Sequence, residues 1–163
     1  MDPLLRELAD KQAIRDLLYT YCRAVDRLDV ALGHSVFHED SIADFPTYKG
    51  TGRGWIDAVC VAHLDFLHHS HQVTNILIEL DGERAGSEAY VTAKLRQRDG
   101  ERLLEREFCA RYVDRWSRRD GRWAIDHRQC VVDFNSIREV TAISDDVAGR
   151  RDTTDPSYQV LKG

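Results

Sequence analysis

The sequence lacks the features of a membrane protein, an exported protein or a nucleic-acid-binding protein. No apolar run approaches the roughly 20 residues that a membrane-spanning helix needs. The start, Met1 to Pro3, has neither the basic residues nor the apolar run of a signal peptide. The net charge is -5, and the arginines are scattered among acidic residues instead of forming a basic stripe. We therefore expect a cytoplasmic location and a small-molecule partner, with no nucleic acid and no membrane.

Cysteine and histidine patterns typical of metal sites are also missing. The four cysteines, Cys22, Cys60, Cys109 and Cys130, are far apart, with no CxxC pair and no histidine at zinc-ligand spacing. Isolated cysteines usually act as small core residues, so we predict buried free thiols. No acid and histidine set has a known ligand spacing either, which favours a site without metal.

The length and composition fit one globular domain. The chain has 163 residues, of which 42% are hydrophobic and 31% are charged. We assign residues 1–142 to a single domain. Residues 143–163 lack any hydrophobic period, and we expect this C-terminal tail to be mobile or to contact another subunit.

Three Asp-Gly dipeptides divide the second half of the domain into β-prone segments. They stand at residues 81–82, 99–100 and 120–121, and Asp-Gly favours the positive φ of tight hairpin turns. Residues 68–134 are therefore predicted to form a four-stranded antiparallel meander. Its strands are expected at residues 72–80, 86–98, 103–117 and 122–134.

The first half has mainly helical spacing. Apolar residues recur every three or four positions over residues 4–28 and 53–67, and a short helix over 30–37 would begin at a cap, Asp29. Residues 41–45 alternate like an edge strand. Helices followed by antiparallel strands indicate an α+β fold, in which the N-terminal helices pack on a curved, cone-shaped antiparallel sheet with a ligand pocket inside.

Two sets of residues could carry acid-base chemistry. Asp26 lies at the border of the apolar stripe of the first helix, so it is either a partly buried carboxylate that needs a partner or a helix-terminal acid near Asp29. In the first meander strand, alternation places His69 and His71 on one face and His68 on the other. A strand histidine is more often structural than catalytic, so both interpretations stay open.

Three further side chains could hold a ligand. An inward-facing Arg128 would be a permanently charged donor for a developing oxyanion, although it could equally pair with Asp126 or Glu107 on the outside. Tyr21 and Tyr48 could donate hydroxyl hydrogen bonds, although aromatic residues at such positions are usually core.

The outer face of the sheet could be partly apolar. Candidates for that convex face are Val91, Leu95, Tyr112 and Trp116. A covered apolar face is common in oligomers, so we expect a homo-oligomer, a dimer or trimer.

Several segments together resemble a known family. They are Ala24-Val25-Asp26, Thr47-Tyr48-Lys49-Gly50, His71-Gln72-Val73-Thr74-Asn75 and Trp123. Over residues 5 to about 135 the chain resembles the SnoaL-like family of the nuclear-transport-factor-2-like superfamily, whose fold is also called cystatin-like. The nearest pattern is that of scytalone dehydratase, hexachlorocyclohexane dehydrochlorinase and the bile-acid dehydratases, which share a His-Asp dyad in an apolar pocket.

The resemblance implies roles for individual residues. The dyad falls on Asp26 and His71, Arg128 stands where the dehydrochlorinase has a supporting arginine, and Tyr48 resembles a pocket tyrosine of the dehydratases. Tyr21 stands where the dehydrochlorinase has lysine, which argues against dehalogenation. The sequence identifies no second pocket histidine of the scytalone dehydratase kind.

These observations favour a cofactor-free lyase or isomerase of the dehydratase type. His71, oriented by Asp26, would remove a proton from a small apolar, hydroxylated or carbonyl-containing substrate, and Arg128 with Tyr21 or Tyr48 would hold the leaving group or an enolate oxygen. Ketosteroid-isomerase or polyketide-cyclase chemistry would be a subtype. The alternative is a non-catalytic ligand-binding or assembly subunit, such as a ring-hydroxylating dioxygenase β subunit.

Overall fold

A computed structural model describes residues 2–144 and 147–161 of the chain. Met1 and residues 145, 146, 162 and 163, the last four from the predicted tail, lie outside the described residues. The elements are α1 (Pro3–Arg27), α2 (Val30–Ser35), β1 (Phe37–Phe45), β2 (Tyr48–Thr51), α3 (Gly52–Ala62), a 3-10 turn (His63–Asp65), β3 (His68–Asp81), β4 (Arg84–Asp99), β5 (Arg102–Arg119), β6 (Arg122–Val140) and α4 (Ser157–Val160).

The strands form one six-stranded sheet in the order β2-β1-β6-β5-β4-β3. The predicted antiparallel meander corresponds to β3–β6, and its turns contain Gly82, Gly100 and Gly121, each with positive φ. The sequence did not predict that β1 pairs parallel to β6, with Ala43 opposite Arg128. This pairing joins distant segments and has no local signal. The α+β class with N-terminal helices on a curved sheet is confirmed, and the sheet is mixed and unclosed.

Irregular positions in the long strands bend the sheet. The β3–β4 register shifts between Thr74 and Leu77, where Asn75 has a φ of 49°, a left-handed conformation that asparagine tolerates better than most residues. The β5–β6 register shifts after Cys109 and after Arg115. Such bulges increase the local twist and bend the strands that contain them, so the sheet curves around the helices.

The concave face of the sheet packs against α1 and α3 to form the core. The four residues predicted for the convex face lie in this core: Trp116 is 1% exposed, and Val91, Leu95 and Tyr112 are each 4% exposed. That prediction is wrong, because the apolar residues at alternate positions of β4 and β5 face the helices. The exposed apolar residues of the sheet are others, including Leu77, Phe134 and Ile137.

The cysteines and the described part of the C-terminal segment have defined surroundings. All four cysteines are free thiols, as predicted, with Cys22 and Cys60 buried and the other two half-buried. The segment after β6 contacts the N-terminal helices of the same chain, because the Tyr158 hydroxyl donates to Oδ2 of Asp29, the N-cap of α2, at 2.7 Å. Arg27 Nε also lies 3.4 Å from Asp155 Oδ1. No helix in the described ranges is long and apolar enough to cross a membrane.

A substitution at Gly52, the first residue of α3, tests how tightly this helix packs on β1. A Cβ atom there would contact the ring of the fully buried Phe37 and lie 2.6 Å from Ser41 Oγ. We predict that Gly52→Ala lowers the free energy of unfolding by about 1–3 kcal/mol, since overpacking forces neighbours to shift. Urea denaturation measures this. Gly86→Ala is the control, because nothing lies within 4 Å of its Cβ position; equal effects of the two substitutions would contradict the prediction.

Candidate active site

A cavity of about 610 Å³ lies between the concave face of the sheet and the helices. Its walls are mostly aliphatic and aromatic, and its polar lining groups are few. This combination is typical of small-molecule sites. The lining residues used below are Tyr21, Tyr48, Trp55, His63, Phe66, His71, Ala93, Arg106, Phe108, Tyr112 and Asn135.

His71 and Asp26 form a two-point hydrogen-bonded pair at the cavity wall. The His71 ring donates from Nδ1 to Asp26 Oδ1 at 2.7 Å, and the His71 backbone N–H donates to Asp26 Oδ2 at 3.0 Å. The two side chains are only 8% and 14% exposed. Because Nδ1 is engaged by the carboxylate, Nε2 is the ring nitrogen left for a ligand.

The end of α1 determines where the Asp26 carboxylate lies. The helix is capped by Leu28, whose φ of 54° is left-handed and whose N–H donates to the carbonyls of Ala24 and Val25. The buried His69 ring donates from Nε2 to the Val25 carbonyl oxygen at 2.8 Å. This bond ties the last turn of α1 to β3 directly beside Asp26. His69 therefore has a structural position, whereas His71 faces the cavity.

A third histidine, which the sequence analysis did not identify, completes a cluster. His63 lines the cavity, with its ring centroid 4.7 Å from that of His69 and 6.0 Å from that of His71. Burial, with the neighbouring histidines, lowers the pKa of His63 to about 3. The sequence feature that could have identified His63 is helical spacing, because a residue seven positions after Ile56 continues the buried side of α3.

Arg128 lies behind the cavity wall. Its side chain is fully buried and donates two hydrogen bonds to Asp114, from Nε at 2.8 Å and from Nη2 at 2.6 Å. Neither Asp126 nor Glu107 is its partner. The guanidinium carbon lies 4.2 Å from the ring centroids of both Tyr21 and Tyr112. Burial opposes its charge, but the Asp114 carboxylate outweighs burial and raises the pKa of Arg128 above its usual range.

The two predicted tyrosines line the cavity but differ in what their hydroxyls can offer. The Tyr21 hydroxyl accepts a hydrogen bond from Trp55 Nε1 at 2.8 Å, so its own proton can be donated to a ligand. Burial raises the pKa of Tyr21 to about 12, which keeps that proton in place. The Tyr48 hydroxyl donates to the Thr51 carbonyl oxygen at 3.1 Å, so it retains mainly acceptor capacity.

The structure thus brings most of the predicted site residues together. His71, Tyr21 and Tyr48 line the cavity, Asp26 supports His71 from behind, and Arg128 supports Tyr21 from behind. In residues 2–144 and 147–161, no group of three or more His, Cys, Asp or Glu residues is placed to hold a metal ion.

Comparisons with known proteins identify the family of the chain. Residues 6–129 match the family model of the SnoaL-like domain. No curated protein sequence matches the chain.

Three solved structures illustrate the likeness of fold. A protein of Novosphingobium aromaticivorans assigned as a scytalone dehydratase is 22% identical, with a TM-score of 0.72 over 83% of this chain and 92% of that one. Hexachlorocyclohexane dehydrochlorinase of Novosphingobium barchaimii is 20% identical, with a TM-score of 0.72 over 85% and 95%. A protein of N. aromaticivorans assigned as an aromatic ring hydroxylase is 24% identical, with a TM-score of 0.69 over 82% and 94%.

The buried histidines predict how stability depends on pH. Burial lowers the pKa of His63 to about 3 and that of His69 to about 4, whereas in the unfolded chain both bind protons below about pH 6.5. The unfolded state therefore binds more protons between these values. We predict that the free energy of unfolding decreases as the pH falls from about 6.5 towards 4, by about 1 kcal/mol per pH unit for each histidine.

Urea denaturation at several pH values between about 7 and 5 measures this slope. His63→Gln should reduce the slope, whereas His68→Gln, at an exposed position at the start of β3, should leave it unchanged. An unaltered slope in the His63 variant would contradict the assignment of a neutral buried ring.

Proposed function

The chain belongs to the SnoaL-like domain family, and from this premise we propose that it is a cofactor-free lyase or isomerase of the dehydratase type. It removes a proton from a small, largely apolar substrate that carries a hydroxyl or carbonyl group. The observation that carries the proposal is the Asp26–His71 pair at the wall of a mostly apolar cavity.

His71 is the general base of the proposed reaction. Its Nε2 takes the proton from substrate carbon, and Asp26 stabilises the imidazolium that forms while holding the ring in the Nδ1–H tautomer. The second hydrogen bond, from the His71 backbone N–H to the same carboxylate, fixes both partners in one geometry. Both side chains are little exposed to solvent, which strengthens the electrostatic interaction between them.

Tyr21 is the hydrogen-bond donor to substrate oxygen. Trp55 occupies one lone pair of its hydroxyl and leaves the proton to be donated. Arg128, behind the Tyr21 ring, is a positioning residue in this scheme, because its positive charge stabilises negative charge that develops on an oxygen bound to Tyr21.

A dehydration at this site needs no reactant other than the substrate, because every proton and electron pair is accounted for. The electron pair of the broken C–H bond forms the new double bond while the bond from carbon to the hydroxyl oxygen breaks. The proton on His71 then passes to the departing oxygen, which leaves as water, and His71 returns to its neutral form. In an isomerisation, the same proton returns to a different carbon.

Two of the similar structures support elimination chemistry through their names, dehydratase and dehydrochlorinase. Tyr21, a donor suited to oxygen, favours the loss of water over the loss of halide. The similarity to a protein assigned as a ring hydroxylase supports the second candidate, a non-catalytic assembly or ligand-binding subunit. The two candidates differ in whether the Asp26–His71 pair is needed for turnover.

Variants of the pair test the proposal. A panel of cyclic β-hydroxy ketones is incubated with the protein, and the absorbance of the conjugated enone and deuterium uptake from D2O are followed. We predict that His71→Gln and Asp26→Asn each lower kcat by about 100- to 10,000-fold, since this is the usual contribution of a positioned base.

His68→Gln serves as the matched control, because His68 is exposed on the same strand, and it should keep wild-type kcat. Full activity in both dyad variants would refute the general-base role. If the wild-type protein neither exchanges nor dehydrates any member of the panel yet copurifies with a larger oxygenase subunit, the assembly role replaces the enzymatic one.

Tyr21→Phe tests the donor separately. The substitution keeps the buried ring but removes the hydroxyl, so we predict a loss of about 100-fold in kcat, the scale of a missing oxyanion donor. Circular dichroism should show an unchanged fold. Tyr19→Phe removes a hydroxyl from an exposed position of the same helix and should have no effect; equal kcat values for the two variants would exclude Tyr21 as a donor.

A further inference from the structure

One permanently charged side chain lines the cavity. Among the described residues that form its wall, Arg106 is the only arginine, and no lysine, aspartate or glutamate accompanies it. The remaining lining residues are apolar, aromatic or neutral polar, apart from the two histidines. A lone cation in such a wall is unusual, because an unpaired charge loses hydration without a compensating partner.

Arg106 differs from the four other arginines of β4–β6 that are at least partly buried. Each of these four is paired with a carboxylate, with contacts of 2.6 to 2.9 Å: Arg96 with Glu105, Arg111 with Asp133, Arg118 with Asp10, and Arg128 with Asp114. Within residues 2–144 and 147–161, Arg106 has no ion pair. Its Nε donates one hydrogen bond, 3.0 Å long, to the neutral Gln97 side chain.

Strand register places Arg106 relative to the proposed base. His71 lies opposite Ala93, which lies opposite Phe108, and all three line the cavity. Arg106 precedes Phe108 by two residues on the same face of β5. Its Cα is therefore two strand spacings, about 10 Å, across the sheet from His71 and about 7 Å along it. A ligand that reaches both side chains must extend across the cavity floor.

The surface between these two side chains is apolar and aromatic. Phe108 and Ala93 lie between them, and Phe66 and Trp55 contribute to the wall, with the Trp55 ring stacked on Phe45 at a centroid distance of 3.7 Å. Flat, rigid ring systems pack well against such surfaces. A guanidinium group at one end complements a carboxylate, whose two oxygens match its planar donors.

We propose that the substrate is an aromatic or polycyclic carboxylate, whose anionic group binds Arg106 while its ring system extends towards His71. This inference rests on the proposed function in one respect, because it takes the bound ligand to be a substrate. The binding preference itself does not require turnover.

The test uses two ligands of the same shape and different charge, 2-naphthoate and 2-naphthamide. Their affinities are measured by isothermal titration calorimetry at low salt, with quenching of tryptophan fluorescence as a second readout because Trp55 lines the cavity. We expect wild-type protein to bind the carboxylate about tenfold more tightly than the amide. Arg106→Gln should abolish this preference and leave amide binding unchanged.

Arg115→Gln is the matched control, because it removes the same charge from an exposed position of the same strand outside the cavity, and it should keep the tenfold preference. The His71→Gln variant should keep it too, so the result is separable from the catalytic proposal. Equal affinity of wild-type protein for the two ligands, or a preference that survives in Arg106→Gln, would overturn the inference.

Discussion

The two hydrogen bonds between Asp26 and His71 are the constraint on which the candidate site depends. They join the last turn of α1 to the start of β3, through two residues that are 45 positions apart in the sequence, and both oxygens of the carboxylate are used. The neighbouring bond from His69 to the Val25 carbonyl reinforces the same junction. A carboxylate so little exposed is costly without partners, and the backbone N–H and the imidazole satisfy it. The junction that stabilises the helix on the sheet is therefore also the one that orients His71.

A second buried charge pair supports the opposite side of the cavity. Arg128 and Asp114 are both fully shielded, and the guanidinium lies against the faces of Tyr21 and Tyr112. Buried ion pairs contribute little net stability, because desolvation offsets much of their attraction. What this pair does provide is a guanidinium group held in one position against the face of the Tyr21 ring. Burial raises the pKa of Tyr21 to about 12 although the Arg128 charge lowers it, so the hydroxyl keeps its proton.

Local signals in the sequence predicted most of the helices and strands. Features that depend on pairing between distant segments were not predicted. Helical spacing identified α1 and α3, and the Asp-Gly turns identified the meander, because both depend on residues close in sequence. The parallel β1–β6 pair was missed because no nearby residue specifies it. Tyr112 and Trp116 were placed on the wrong face of the sheet, since alternation separates two faces without saying which one meets the helices. His63 was missed as a cavity residue because helical spacing alone does not separate core residues from cavity walls.

The distribution of polar groups around the cavity restricts how a ligand can lie in it. Tyr21 and His71 approach from the helical layer and the first meander strand, while Arg106 stands on β5, two residues along the strand from the row that contains His71. Apolar residues fill the surface between them. A ligand held only by hydrophobic contact could rotate in such a space, because burial is not directional. One ionic contact at Arg106 would remove that freedom and present the same carbon to His71 in each binding event, and positioning of this kind is a large part of catalytic rate enhancement.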